Sequence, residues 1–308
     1  MKLENVNQPC FNTTLMGVLR GVLDYYEISV SDAMIYGGTG HAFLINIHDQ
    51  ICPSGPYCWS YDRFYLLLNN LGISMTNLGF FSADNSMDDR LRIEKKVRDC
   101  LDRGHPCSLL NMENQLIPGY EDDHFVTSKP WQNHEDTTPS RLTFGTWEEF
   151  TEGIHCSFFT YKKVGELDED RLIKESLEYA LELYLAPKKY TFEPYAGGLE
   201  AYDQWIQGVM DGYGSELGHW WNAMVWGECR ARAAAYMDEV GARFEDSNEE
   251  IREITGAMST NYRLIASNLE TVSDREFPTG RKLSLLKDTL QMEAGQIEYL
   301  KNLVEIIK

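Results

Sequence analysis

Gln8-Pro9-Cys10-Phe11-Asn12-Thr13-Thr14-Leu15 is the stretch on which the fold turns, because an apolar helix face begins at its end. Leu15, Val18, Leu19, Val22, Leu23 and Tyr26 recur at i, i+3, i+4, i+7, i+8 and i+11, the spacing of one face of a helix laid on a core. On this reading Cys10 stands at the helix start, where unpaired backbone N–H groups and the positive end of the helix dipole favour a thiolate. The plainer alternative is a buried structural cysteine, since free Cys is among the most buried residue types.

The rest of the chain divides near residue 165. Before that point short apolar runs alternate with turns and helices. His41-Ala42-Phe43-Leu44-Ile45-Asn46-Ile47 reads as a strand after the Gly37-Gly38-Thr39-Gly40 run, and helices are expected around 61–71 and 88–103. The runs at 107–112, 114–117, 124–127 and 156–161 read as strands of an antiparallel sheet. A cysteine-bearing helix followed by a sheet is an α+β arrangement. Beyond Asp168 the pattern is helical. Leu172, Ser176, Tyr179, Ala180, Leu183 and Tyr184 share a face that Pro187 ends, and the stretches 199–210, 219–244, 248–270 and 281–307 complete a bundle of about five helices. The expected domains are therefore 1–165 and 166–308.

Composition narrows the function. The 308 residues, 43% hydrophobic and 25% charged, suit a globular protein. No apolar run has the length of a membrane span, and the opening Met1-Lys2-Leu3-Glu4-Asn5 lacks the apolar core of a signal peptide, so a soluble cytoplasmic protein is expected. The net charge of −20 opposes nucleic acid and anionic membrane and attracts cations such as amines. Seven cysteines, with no CxxC pair and no Cys/His cluster at zinc-ligand spacing, imply reduced thiols, no metal and no cofactor.

A nucleophilic cysteine needs a base, an orienting group and oxyanion donors. His41 is the best placed of the seven histidines, closing a glycine run where backbone can approach a ligand, although a histidine that only hydrogen-bonds the turn fits equally. His124 follows an acidic turn, His155 precedes a strand, His48, His105 and His134 lie in polar loops, and His219 heads a Trp-rich helix.

Cys10 ahead of a helix, Ser31-Asp32-Ala33-Met34-Ile35-Tyr36-Gly37, Gly40-His41-Ala42-Phe43 and Cys52-Pro53-Ser54-Gly55-Pro56 resemble, in that order, the cysteine-protease-like N-terminal domain of butirosin biosynthesis protein H. So do Ile117-Pro118-Gly119-Tyr120-Glu121-Asp122-Asp123 and Gly198-Leu199-Glu200-Ala201-Tyr202-Asp203-Gln204-Trp205, and the resemblance spans roughly residues 5–245. It implies a papain-like domain joined to the helical bundle. It also implies an acyltransferase or amide synthetase, similar to that of closthioamide assembly, which moves an acyl group from a carrier-protein thioester to an amine. One departure matters. Papain-type leader peptidases carry their histidine six residues before the Gly of a Gly-Tyr-Asp turn and an Asp beside a later Pro, where this chain has Glu113 and Ser128-Lys129. The expected catalytic group is Cys10, His41 and Glu113, since a histidine between thiolate and carboxylate spares the thiolate a repulsive neighbour. Asn7 and Gln8 are candidate oxyanion or substrate groups, with Tyr120 and Trp205 as further substrate contacts. Trp205, Trp220, Trp221 and Trp226 are candidates for an acyl pocket, against the alternative of plain core. Arg90, Arg92, Lys95, Lys96 and Arg98 are a candidate docking face for an acidic acyl carrier protein, against the alternative of a solvated helix face. A cysteine peptidase or amidohydrolase, and a non-catalytic binding protein on the same fold, are the alternatives to acyl transfer.

Overall fold

A computed structural model describes residues 1–131, 137–151, 153–244 and 248–307; His134 lies outside the described residues. In chain order the elements are α1 (Thr14–Tyr25), α2 (Asp32–Gly38), β1 (Asn46–His48), α3 (Asp62–Asn70), β2 (Ile73–Ser82), α4 (Met87–Leu101), β3 (Cys107–Leu110), β4 (Asn114–Ile117), β5 (Gly119–Tyr120), β6 (His124–Val126), β7 (Arg141–Thr143) and β8 (His155–Lys163). There follow α5 (Glu169–Leu185), β9 (Tyr195–Gly197), α6 (Gly198–Met210), α7 (Leu217–Arg243), α8 (Glu249–Ser273) and α9 (Thr279–Ile306). The class is α+β. No helix among the described residues is long and apolar enough to cross a membrane.

The chain forms two compact units, Met1–Val30 with Leu68–Leu167 (unit 1) and Ser31–Leu67 with Asp168–Lys308 (unit 2). The second division coincides with the change of pattern at 165. Ser31–Leu67, expected in the first domain, instead belongs with the helical residues. Glycine explains why. A Cβ on Gly37 would fall 2.0 Å from the Tyr236 ring of α7, one on Gly38 would meet Leu172 of α5 at 2.7 Å, and one on Gly40 (φ +74°) would meet Tyr179 at 2.3 Å. The glycine run is thus where helices close on α2, and its expected role as an open approach for a ligand is replaced by packing. The strand expected at 41–47 shrinks accordingly to a 3-10 turn at His41–Phe43 and the short β1, which pairs antiparallel with β9 (Asn46 opposite Gly197).

In unit 1 the apolar face of α1 is buried from Leu15 to Leu23 and lies against β4. The helix ends at Tyr25, and the left-handed φ of 56° at Glu27 turns Ile28 N back onto Leu23 O at 2.9 Å, a Schellman-type ending. A capping box of Ser86 and Asp89 opens α4. The main sheet runs β2-β8-β3-β4, antiparallel throughout, and β5-β6-β7 form a smaller one. The ring of Phe158 packs with those of Phe81, Trp147 and Phe125. Within this core the buried Glu94 carboxylate accepts Gly145 N at 2.6 Å and Trp147 Nε1 at 2.8 Å.

Unit 2 surrounds a buried polar centre. Arg230 of α7 pairs with Glu293 of α9, both side chains being fully enclosed. Glu293 also accepts the hydroxyls of Tyr184 and of Tyr202, the latter at 2.8 Å, while Arg230 donates to Ala42 O and Leu44 O at 2.9 Å each. Nearby on α6, Trp205 gives its indole N–H to His219 Nδ1 (3.0 Å), so the ring's Nε2–H donates to Val272 O (2.7 Å). This fixes the neutral tautomer, and burial pushes the His219 pKa down to about 4.

Candidate active site

The sequence around Cys10 is organised by small residues on α1. A Cβ on Gly21 would fall 2.3 Å from Asn7 O, and one on Gly17 would fall 2.8 Å from Pro9 O. These two bare positions, a helical turn apart, let the segment Asn7–Pro9 cross α1 toward its N-terminal end. Cys10 then precedes the first helical residue by four positions, and Thr13 is the N-cap. The helix-start expectation is corrected to that extent. The residue that opens the helix is Thr14, and Cys10 is presented from the adjoining non-helical segment and is exposed.

Two side chains pin this loop. Gln8 Nε2 donates to Asn114 O (2.8 Å) and Thr14 O (3.3 Å), while Gln8 Oε1 accepts Leu116 N (2.8 Å). Thr14 Oγ1 donates to Glu113 Oε2 (2.7 Å) and accepts Asn114 N (3.1 Å). The loop carrying Cys10 is therefore fastened at both ends to residues 113–116. With both hydrogens of its side-chain amide committed, Gln8 positions the loop and does not offer that amide to an oxyanion. Asn7 is exposed, and its carbonyl faces Gly21. Tyr120 holds the chain start through Met1, in backbone bonds of 2.8 Å each way, and gives its hydroxyl to Asp102 at 2.9 Å. Thr14 is the member that sequence reasoning missed. The available signal was a hydroxyl residue at the start of a helix whose next five residues, Leu15 to Leu19, carry no polar side chain.

His41 is held in unit 2 and is 1% exposed. Its Nδ1 lies 3.5 Å from Cys229 Sγ, its ring is packed among Trp59, Phe64 and Trp226, and its buried Nε2 has no hydrogen-bond partner among the described residues. Burial, and then the charge of Arg230, push its pKa down to about 3, which keeps the imidazole neutral. The group formed by Cys10, Gln8, Thr14 and Glu113 is built from unit 1 residues alone. Trp205 and Trp226 are fully enclosed in unit 2 and bonded to His219 and Asn222, so the acyl-pocket expectation for them gives way to core. On α4, Arg90 donates to Gly145 O and Thr146 O, Arg98 lies over Phe144 and Tyr120, and Arg92 and Lys95 pair with Asp89 and Asp99. Most of the basic run is thus engaged within unit 1.

Chemically, the site offers an accessible thiol on a fastened loop and a carboxylate anchored under the same loop. Among the described residues no group of three or more His, Cys, Asp or Glu is placed to hold a metal ion. Gly21→Ala tests the loop's support. Its new methyl would meet backbone at Asn7, so a stability loss of about 1–3 kcal/mol is expected from overpacking. Hydrogen exchange at the Leu116 amide, which Gln8 covers, should also speed up; an unchanged exchange rate would mean that the segment does not depend on Gly21. No family model matches the chain, and no curated protein matches it.

Proposed function

We propose that this protein transfers an acyl group through Cys10 to an amine, on a papain-like frame made by unit 1. The observation that carries the reading is the exposed Cys10 thiol on a loop whose two ends are bonded beside the Glu113 carboxylate. In the first half-reaction Cys10 Sγ bonds to the carbonyl carbon of an acyl thioester, the donor's C–S bond breaks, and the departing thiolate takes up a proton. In the second an amine bonds to the same carbon, Cys10 leaves as thiolate, and the amine's proton passes to Glu113 and then to solvent. Exchange of one thioester for another is nearly isoenergetic, so the step needs no nucleotide. A net charge of −20 favours a cationic acceptor and disfavours an acidic carrier protein except at a local basic face.

Acyl-N-acetylcysteamine thioesters provide the test, with intact mass as the readout. The expected result is a single acyl adduct that disappears in Cys10→Ala, and amide product on adding a diamine; free acid in place of amide indicates a hydrolase. A second reading, a binding protein on the same frame, is favoured by the Thr14 hydroxyl already occupying the Glu113 carboxylate. Absence of any adduct, with iodoacetamide labelling Cys10 no faster than the cysteine of a short unstructured peptide, would decide for that second reading.

A further inference from the structure

The turn that joins α4 to β3 brings two further thiols together. Cys100 lies in the last turn of α4, and Cys107 is the first residue of β3. Between them Arg103 N and His105 N both bond Cys100 O, at 3.1 and 3.0 Å, folding the connection back on the helix end. The buried Cys107 Sγ consequently reaches Val97 O, one helical turn before Cys100, at 3.9 Å, as well as His105 O at 3.6 Å. Cys107 Sγ thus packs on the last turn of α4, the turn that carries Cys100. The Thr160 hydroxyl of the neighbouring β8 lies beside both, and Arg103 and Lys162 supply positive charge. Cys100 is half-buried and Cys107 is enclosed.

We infer that Cys100 and Cys107 form a reversible thiol–disulfide site, with Cys100 as the attacking thiol and Cys107 as the resolving one, acting on low-molecular-weight disulfides. The asymmetry between the two follows from their surroundings. The neighbouring Cys107 thiol, then Thr160 and the two cations, outweigh desolvation at Cys100 and bring its pKa down to about 6; burial raises that of Cys107. The chemistry balances without another reactant. Cys100 thiolate bonds to one sulfur of the small disulfide, whose S–S bond breaks and releases one thiolate. Cys107 then loses its proton to solvent and bonds to Cys100 Sγ, expelling the second thiolate. Two electrons pass from the protein thiols to the small disulfide, which leaves as two thiols after taking up two protons.

The site is independent of acyl transfer at Cys10, and its test reads residues individually. The full-length protein is equilibrated with oxidised glutathione at neutral pH, quenched with acid and digested with trypsin without reduction. The expected product is the peptide Asp99–Arg103 linked to the peptide beginning at Gly104, formed before any disulfide at the other five cysteines. Cys107→Ser should stop at a glutathione adduct on Cys100, and Cys100→Ser should leave Cys107 unmodified. In wild type, iodoacetamide labelling of Cys100 should lose half its rate near pH 6, well below the midpoint of an ordinary thiol near pH 8.5. This readout requires no variant to fold. Absence of the linked peptide, an ordinary labelling midpoint at Cys100, or oxidation of Cys107 in Cys100→Ser each overturns the proposal.

Discussion

Replacing Arg230 by Met lowers the stability of unit 2 by about 3–5 kcal/mol, the usual loss when one partner of a buried ion pair is removed. The side chain is enclosed on all sides and holds Glu293 together with two carbonyls of the segment Ala42–Leu44. Its removal leaves a carboxylate without its cation and two buried acceptors without donors. Adding Glu293→Gln recovers part of the loss, because the uncompensated charge is gone while the amide oxygen accepts from one of Tyr184 and Tyr202 and the amide N–H donates to the hydroxyl oxygen of the other. Urea unfolding followed by tryptophan fluorescence is the measurement, and five of the seven tryptophans (59, 205, 220, 221 and 226) lie in unit 2. If the single variant loses less than about 1 kcal/mol, or the double variant is no more stable than the single, the buried pair is not what holds α7 and α9 together.

The second large effect is acid lability of the same unit. His41 and His219 are buried neutral, with pKa values brought down to about 3 and about 4 by desolvation. An unfolded histidine takes up its proton near pH 6.5. Below that value the unfolded state binds protons that the folded state refuses, so stability falls as pH falls, by about 1.4 kcal/mol per pH unit for each histidine. The loss begins near pH 6.5 and levels off near pH 4 for His219 and near pH 3 for His41, and above about pH 7 neither contributes a slope. Urea midpoints taken between pH 7.5 and 4.5 should therefore drop steeply, and His219→Gln should remove about half of the histidine-dependent slope between pH 6 and pH 4.5. Identical slopes in variant and wild type would mean that carboxylates alone set the acid limb.

How far the fold was legible depended on whether the signal was local. The α1 face, the five helices after Asp168 and the strands β3, β4, β6 and β8 all announce themselves by period. β2 did not, because the bulge between Asn77 and Gly79 breaks its alternation and much of the strand is only partly covered. The Gly37–Gly40 run was visible, but its meaning was not: a glycine that admits a ligand and one that admits Tyr236 look the same in sequence. At the site, Glu113 stood out by its spacing from Gly119, whereas the Thr14 hydroxyl that bonds it is separated from it by 99 positions. Cys10 was legible as a residue and less so as a position, since nothing in Phe11 or Asn12 says that the helix waits until Thr14. The Arg230–Glu293 pair was hidden altogether, both residues lying on helices where most of the other charges are at least partly exposed.

The threading of Ser31–Leu67 into unit 2 has a consequence for biosynthesis. α2 carries Ala33, Met34, Ile35 and Tyr36, all buried in the finished protein, yet the Tyr236 ring that closes over Gly37 is made roughly 200 residues later. At roughly 5–20 residues per second the ribosome leaves this apolar segment without its partner for about 10–40 s, long after local helices have formed. Residues 68–167 emerge during that interval. The nascent chain thus carries an uncovered sticky segment for the whole time unit 1 is being completed, and this is where a chaperone has its longest opportunity to act.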